Sequence, residues 1–325
     1  MKEKILKCLR EAEDYVSGQE LCQMFDVSRT AIWKVMNQLK EEGYVIDAVK
    51  NKGYRLVQTP DLVTAEEVES LLETSWAARP VVYEEEQAST NQTAKMLAEQ
   101  GASHGTLVVA ERQVSGRGRR GRPWHSPKGS GIWMSILLRP QIHPMSASML
   151  TLVAAMAVYD AISSRVEGCA IKWPNDIVID GRKVCGILTE MSSELDNIHY
   201  VVIGIGINVN TDDFPEDIAP VAASMHVITG AYYKRAEIIA DTWKAFEKYY
   251  DLFVQTENLA LMVDAYNQRL VNMDRRVMIE ERGHRYEGTA RGIDAEGALL
   301  VERDDGTTTS VISGEVSVRG VLGYV

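Results

Sequence analysis

The sequence predicts an α+β protein in three parts, and three observations carry that expectation. Residues 1–60 hold short amphipathic helical segments followed by a strand–turn–strand with a basic tip. Residues 66–270 alternate apolar strand runs with longer helical patterns. Residues 271–325 hold only short alternating strands separated by Gly and Asp turns. A chain of 325 residues, 45% hydrophobic and 25% charged, has ordinary globular composition and room for two or three domains.

The N-terminal segment opens with a helix that turns Ile5, Leu6 and Leu9 inward. Ser17-Gly18-Gln19-Glu20 is a capping box, which predicts a second helix burying Leu21, Met24 and Phe25. After a turn at Asp26-Val27, Ser28 caps a third helix with Ile32, Val35, Met36 and Leu39 at helical spacing. Arg29, Thr30, Trp33, Lys34 and Asn37 fall off that stripe. Tyr44-Val45-Ile46 and Tyr54-Arg55-Leu56 flank Lys50-Asn51-Lys52-Gly53, a hairpin with a basic tip. This is a winged helix-turn-helix pattern. Its third helix would present Ser28, Arg29, Thr30, Trp33, Lys34 and Asn37 to base edges, with Lys50 and Lys52 near phosphates. The same pattern also suits a small interaction domain that never meets DNA. Residues 57–64, with Pro60, form a short connection to the next part.

The central part reads as a strand at 81–85, then Ser89-Thr90-Asn91 opening a helix over 92–100. Those three residues either cap the helix or present polar groups to a ligand. Strands at 105–111 and 131–138 bracket Gly116-Arg117-Gly118-Arg119-Arg120-Gly121-Arg122-Pro123-Trp124. Glycine lets a backbone approach a ligand, arginine forks match phosphate oxygens, and an indole stacks on a flat base. The loop suits closure over an adenine nucleotide; a loose basic loop is the other reading. A core helix is expected over 145–164. Ile171-Lys172-Trp173-Pro174-Asn175-Asp176 sets polar groups between apolar strands, which is costly unless they have partners or work. Asp180-Gly181 is a hairpin turn that delivers Lys183. Gly204 and Gly206 interrupt a core strand, marking close approach to its backbone; they do not form a dinucleotide fingerprint. An amphipathic helix over 235–256, a further helix to Leu270 and five short strands complete the chain. The strands, with turns at Gly283, 294–297 and 304–306, read as a small five-stranded barrel.

Net charge is −11, yet residues 1–60 carry ten Lys/Arg and nine Asp/Glu, so the remainder nets −12. A near-neutral module on an acidic body fits DNA contact by the first part. The apolar runs reach about eight residues, short for a bilayer span. No secretory signal is read at the N-terminus, and Cys8, Cys22, Cys169 and Cys185 are scattered as small buried residues of a reducing compartment, so a cytoplasmic location is expected. The histidines show no metal-ligand spacing, so no metal site built from protein ligands alone is expected.

Five motifs, Ser89–Asn91, Gly116–Trp124, Lys172–Asp176, Gly181–Leu188 and Gly204–Asn210, occur in the order seen in biotin protein ligases. With the winged helix in front, the chain resembles the bifunctional ligase–repressors of that family nearly end to end. The resemblance implies a central mixed β-sheet with flanking helices, an SH3-like C-terminal barrel, biotin and ATP as substrates, and Mg²⁺ arriving with ATP. It implies formation of biotinyl-5′-adenylate, then transfer of biotin to a lysine of a carboxylase carrier domain, that of acetyl-CoA carboxylase and possibly of pyruvate carboxylase. It also implies operator DNA as a partner of an adenylate-bound homodimer. Carried over by motif, Ser89, Thr90, Asn91, Gln113, Arg117, Gly118, Arg119, Lys183, Gly186, Gly204 and Gly206 hold biotin or its adenylate. Arg120, Arg122, Trp124, Lys172, Asn175 and Asn208 face ATP. Lys183, Arg119 and Asp176 are the expected catalytic residues, Asp176 accepting a proton, orienting the amine, or serving only as a turn acceptor. Trp133 and Ile187 are candidate apolar lining. Two other readings are a biotin sensor without catalysis and a lipoate-type ligase.

Overall fold

The computed structural model describes residues 1–281, 284–312, 316–320 and 324–325. Its N-terminal module comprises α1 (Lys2–Glu11), α2 (Gly18–Phe25), α3 (Arg29–Glu41) and the hairpin β1 (Val45–Val49) and β2 (Gly53–Gln58). The helix starts follow their sequence signals. Ser17 Oγ accepts from the Glu20 amide while the Glu20 carboxylate accepts from Ser17 N–H. Ser28 Oγ accepts from the Ala31 amide at 3.2 Å. Ile5, Leu6, Leu21, Ile32, Met36 and Leu39 close one small core. Met24, expected inside, is 60% exposed, because the short α2 buries only Leu21 fully.

The central part begins with α4 (Ala65–Leu71), β3 (Val81–Gln87), α5 (Thr90–Glu99), β4 (Leu107–Gln113), β5 (Gly131–Leu138) and α6 (Leu150–Ser163). It continues through β6 (Cys169–Lys172), β7 (Asp176–Ile179), β8 (Arg182–Glu194), β9 (Asn197–Asn208), α7 (Met225–Thr229), α8 (Arg235–Thr256) and α9 (Val263–Arg269). The strands form one seven-stranded mixed sheet, ordered β3-β4-β5-β9-β8-β7-β6. Only β3 and β4 run parallel; the rest are antiparallel. Side chains alternate across it. Val108, Leu137 and Val202 meet Ala94 and Ala98 of α5 on one face. Leu107, Val109, Ile136 and Ile203 meet the apolar sides of α6 and α8 on the other.

Two helix boundaries differ from expectation. The helix expected over 92–100 starts at Thr90, and the one over 145–164 is a 3₁₀ turn, Pro144–Met149, feeding α6. Residues 144–163 are also long and apolar enough to cross a membrane, although the uninterrupted apolar runs within them are short. Here that stretch is a core helix, covered by the sheet and α8. Cys185 is buried while Cys8, Cys22 and Cys169 are only half-buried.

The C-terminal strands are β10 (Arg276–Glu281), β11 (His284–Ile293), β12 (Leu299–Glu302), β13 (Thr308–Val311) and β14 (Val316–Gly320), antiparallel in the order β13-β12-β11-β10-β14. Among the described residues no pairing joins β13 to β14, so the expected barrel appears as a five-stranded sheet. The turn expected at Gly283 lies outside the described residues, as does the connection from β13 to β14.

The parts are tied by buried charge. Glu67 of α4 accepts from Arg10 and from the Tyr44 hydroxyl of the first module, both at 2.5 Å. Arg235, 1% exposed at the start of α8, binds Asp61 of the linker through Nε at 2.8 Å and Glu111 of β4 through Nη1 at 2.8 Å. Glu111 also accepts from Gly129 N–H, and Asn210 Nδ2 donates to Asp61. The 57–64 segment is thus wired to the ends of both loops that surround the site. Removing one member of a buried ion cluster leaves the others uncompensated. Arg235→Met is expected to lower the unfolding free energy by about 3–5 kcal/mol, measured by urea denaturation with tryptophan fluorescence; a loss below about 1 kcal/mol would contradict this role.

Candidate active site

On the α5 side of the sheet lies a cavity of about 360 Å³. Its floor is made where β8 and β9 pair through glycine, Gly186 opposite Gly206. The reason for glycine is steric. A Cβ on Gly206 would sit 2.4 Å from Trp124 Nε1, one on Gly186 would sit 2.9 Å from the Trp124 ring, and one on Gly204 would sit 2.0 Å from Asn91 Oδ1. The indole of Trp124 therefore lies on the glycine floor, where its Nε1 is buried without a hydrogen-bond partner.

One wall is the start of α5. Ser89 occupies the N-cap position but its side chain makes no capping hydrogen bond. The capping reading of this triad is thereby replaced. Thr90 N–H and Oγ1 instead donate to Gln113 Oε1, at 2.8 and 3.1 Å. Asn91 Nδ2 donates to Glu190 at 2.7 Å, and Ser135 Oγ lies 2.6 Å from Asn91 Oδ1. Gln113 Nε2 donates to Ser126 Oγ, which ties this wall to the end of the arginine loop.

The roof is that loop. Gly118 N–H donates to Arg122 O and Trp124 N–H donates to Gly116 O, so residues 116–124 fold as a closed turn. Arg120 and Gly121 both take left-handed backbone, φ 58° and 71°, at its tip. Arg119 Nη1 donates to Asn175 Oδ1 at 2.9 Å, and Asn175 Nδ2 donates to Ile187 O. The loop is thus pinned to the turn between β6 and β7.

That turn carries the charge cluster. Asp180 and Gly181, φ 49° and 77°, make the tight β7–β8 turn that brings Lys183 back toward Asp176. Lys183 Nζ stands 2.6 Å from Asp176 Oδ1 and 5.2 Å from the Trp124 ring centroid. The Tyr324 hydroxyl donates to Asp176 Oδ2, and Lys172 Nζ sits 3.5 Å from the centroid of the Tyr324 ring. Burial alone would push the Asp176 carboxyl up; Lys183 and Lys172 outweigh it and hold the group below its ordinary value. Burial pulls the Lys172 ammonium down to about 8, with Asp176 opposing the shift. Burial likewise lowers Arg119, against the pull of Asp176. The turn itself is held from the C-terminal part: Trp173 Nε1 donates to Gly297 O at 3.0 Å and Trp173 N–H to Asn272 Oδ1 at 3.3 Å.

The residues assigned by resemblance to biotin, its adenylate and ATP, with Asp176, all line this cavity. Ser89, Thr90, Asn91, Gln113, Arg117, Gly118, Arg119, Arg120, Arg122, Trp124, Lys172, Asn175, Asp176, Lys183, Gly186, Gly204, Gly206 and Asn208 are all there. Ile187 lines it as expected. Trp133 does not: its ring turns back over Gly131 and its Nε1 donates to Pro127 O. Sequence reasoning missed two groups. Phe214, Ile218, Val221 and Ala222 come from the segment after β9, anchored where Lys183 N–H donates to Val221 O and Ala223 N–H donates to Lys183 O. Val318, Arg319 and Tyr324 come from the C-terminal part. No local pattern marks either group, because both reach the cavity through long-range contacts.

On the N-terminal module, Arg29, Thr30, Trp33 and Lys34 are exposed on α3, Asn37 is half-buried, and Lys50 and Lys52 are exposed at the hairpin tip. Ser28 lies at the N-terminal end of the same helix.

Comparison with known proteins agrees with this layout. Residues 83–208 match the biotin/lipoate A/B protein ligase family, residues 2–55 an HTH domain, and residues 273–319 the biotin protein ligase C-terminal domain. The bifunctional ligase/repressor BirA of Bacillus spizizenii is 42% identical over 90% of this chain and 91% of its own length. The BirA of Escherichia coli is 29% identical over 97% and 96%. Among solved structures, the biotin protein ligase from Aquifex aeolicus in complex with biotin and ATP superposes with a TM-score of 0.65. It is 30% identical, over 74% of this chain and 98% of that one. The chain belongs to the biotin protein ligases, in their bifunctional ligase/repressor form.

Proposed function

We propose that this protein is an ATP-dependent biotin protein ligase that also represses transcription, and that the single cavity serves both activities. The observation that carries the ligase reading is the pairing, within about 360 Å³, of a glycine floor with a cationic wall. Biotin carboxylate and ATP are both anions. For the carboxylate to attack the α-phosphorus and expel pyrophosphate, their repulsion must be neutralised and water kept away. Arg117, Arg119, Arg120, Arg122, Lys172 and Lys183 supply that positive charge around one carboxylate, Asp176. Mg²⁺ enters with the triphosphate as part of the substrate.

With the Trp124 indole lifted from it, the floor of Gly186, Gly204 and Gly206 admits a flat bicyclic ligand beside Asn91 and Thr90. The unpaired Nε1–H of Trp124 offers it a donor. Arg122, Asn208 and the loop tip face the nucleotide. In the second half-reaction the carrier lysine attacks the mixed anhydride and AMP leaves. Positive charge then develops on nitrogen. Asp176, held ionised by two lysines, is better suited to orient and stabilise that nitrogen than to act as a strong base. The carrier is the biotin-accepting domain of acetyl-CoA carboxylase, and pyruvate carboxylase carries a further candidate domain.

Repression follows from linkage. Adenylate bound under the 116–124 loop favours a homodimer that presents two α3 helices to a palindromic operator. The chain Gly129–Glu111–Arg235–Asp61 supports that coupling, because it links the loop to the segment carrying the DNA-binding module.

Incubation with biotin and MgATP should release pyrophosphate and leave biotinyl-adenylate on the protein, and a carrier domain should then gain biotin on one lysine. No adenylate by mass spectrometry would overturn the ligase reading. Gly206→Ala, whose methyl collides with Trp124, should weaken biotin binding by about five- to hundred-fold, on the scale of about 1–3 kcal/mol for overpacking; calorimetric titration reads it, and unchanged affinity would remove Gly206 from the floor. Arg119→Gly should let the adenylate escape and biotinylate bystander lysines; retention equal to the parent protein would take Arg119 out of that role. Lys52→Ala should weaken operator binding for all sequences alike and reduce the salt slope by about 1; an unchanged slope would place the hairpin tip off the DNA.

A further inference from the structure

The C-terminal part sends one side chain into the middle of the charge cluster. Tyr324 presents its ring face to the Lys172 ammonium, 3.5 Å from ring centroid to Nζ, and donates its hydroxyl to Asp176 Oδ2. Lys172 is only 5% exposed, and Asp176 only 9%. Lys183 takes the other carboxylate oxygen at 2.6 Å. The ring is thus the nearest partner given to a buried ammonium. The hydroxyl fixes one oxygen of the carboxylate that balances both lysines. A buried cation depends on such partners, and an aromatic face supplies electrostatic attraction without adding a second titrating anion.

On the reading that Lys172 faces the nucleotide, we propose that Tyr324 is a positioning residue for adenylation: its ring face holds the Lys172 side chain in place, aimed into the cavity. The C-terminal part then has a defined share in the chemistry. It grips the 172–176 turn from behind through Gly297 and Asn272, and seats Tyr324 on the turn's charged side chains from the front.

Two substitutions separate the ring from the hydroxyl. Tyr324→Phe keeps the aromatic face and loses the donor to Asp176. Tyr324→Leu keeps apolar bulk over Lys172 and loses both. Burial, against the pull of Asp176 and with the like charges of Lys183 and Arg319 adding to it, already brings the Lys172 ammonium down to about 8, so adenylation by the parent protein should fall as pH rises past that value. Leucine removes the attraction but not the burial, so the ammonium deprotonates at still lower pH.

The experiment is the pH profile of pyrophosphate release, with biotin and MgATP, for the full chain and both variants. Tyr324→Leu should raise the KM for MgATP by about ten-fold, the size of a desolvated cation–π contact, and move the alkaline limb to lower pH. Tyr324→Phe should leave that limb in place and keep KM within about two-fold of the parent. A Tyr324→Leu protein with the parent profile would overturn the proposal. So would equal defects in Phe and Leu, which would assign the effect to the hydroxyl alone. Circular dichroism and the urea midpoint of each variant report whether a loss is one of folding; a loss that follows the midpoint in both variants also overturns it. If the parent protein itself releases no pyrophosphate, the ligase reading fails first and this one with it. If the parent is active and the limb does not move, only the role of Tyr324 fails.

Discussion

A buried lysine and a half-buried one sharing one carboxylate is the constraint on which the rest of the site rests. Asp176 meets Lys183 directly and lies close enough to Lys172 for both to hold it ionised despite its burial. Isolated, each of these charges would be very costly in a sheet interior. Together they leave a positive excess, enlarged by Arg119 and its neighbours on the loop. That excess suits a site meant to receive anions. It also explains why the turn is built with so little freedom. Asn175 is bonded to Arg119 on one side and to Ile187 on the other, and Trp173 is locked into the C-terminal part. A cluster free to rearrange would pair off its charges internally and offer none to a ligand.

The glycines and the indole serve the same purpose from below. A floor without Cβ atoms lets Trp124 lie flat against β8 and β9, and this places the indole at the edge of the cationic wall. The loop that carries Trp124 is closed by its own backbone bonds, so the four arginines share one short turn. The remaining wiring runs outward. Arg235 sits between the linker, the end of β4 and the close of the loop segment. A change in the loop therefore meets a buried ion cluster and not a soft hinge, which suits a protein whose two activities share one ligand.

The caps at Ser17 and Ser28, the run of strands along the chain and the Asp180-Gly181 turn were legible in the sequence, because each rests on local chemistry. A capping box, an Asp-Gly turn and glycines inside a strand name their own geometry within a few residues. Family resemblance added the grouping of distant motifs, which spacing alone does not supply. What escaped was long-range. Tyr324 and Arg319 reach the cavity from a separate sheet, and the 214–222 segment does so by pairing with Lys183. Trp133 stands opposite Gly206 in register, but its ring folds over Gly131 instead of lining the cavity. Ser89–Asn91 looked like a cap by composition. Its hydrogen bonds go sideways to Gln113 and Glu190, a choice set by strands remote in sequence.

The account predicts that the two half-reactions respond differently when the shared carboxylate is removed. In Asp176→Asn the lysines lose the anion that opposes the burial of Lys172, so adenylate formation should move its alkaline limb to lower pH yet survive on the acid side. Transfer of preformed adenylate to a carrier lysine should slow by about a hundred-fold or more, the scale for losing one electrostatic group at a reacting centre. Single-turnover measurement of both steps on the same preparation decides it. Transfer at the parent rate, or an adenylation defect that lower pH does not relieve, would contradict the claim that one ionised carboxylate balances the cations first and receives the nucleophile afterwards.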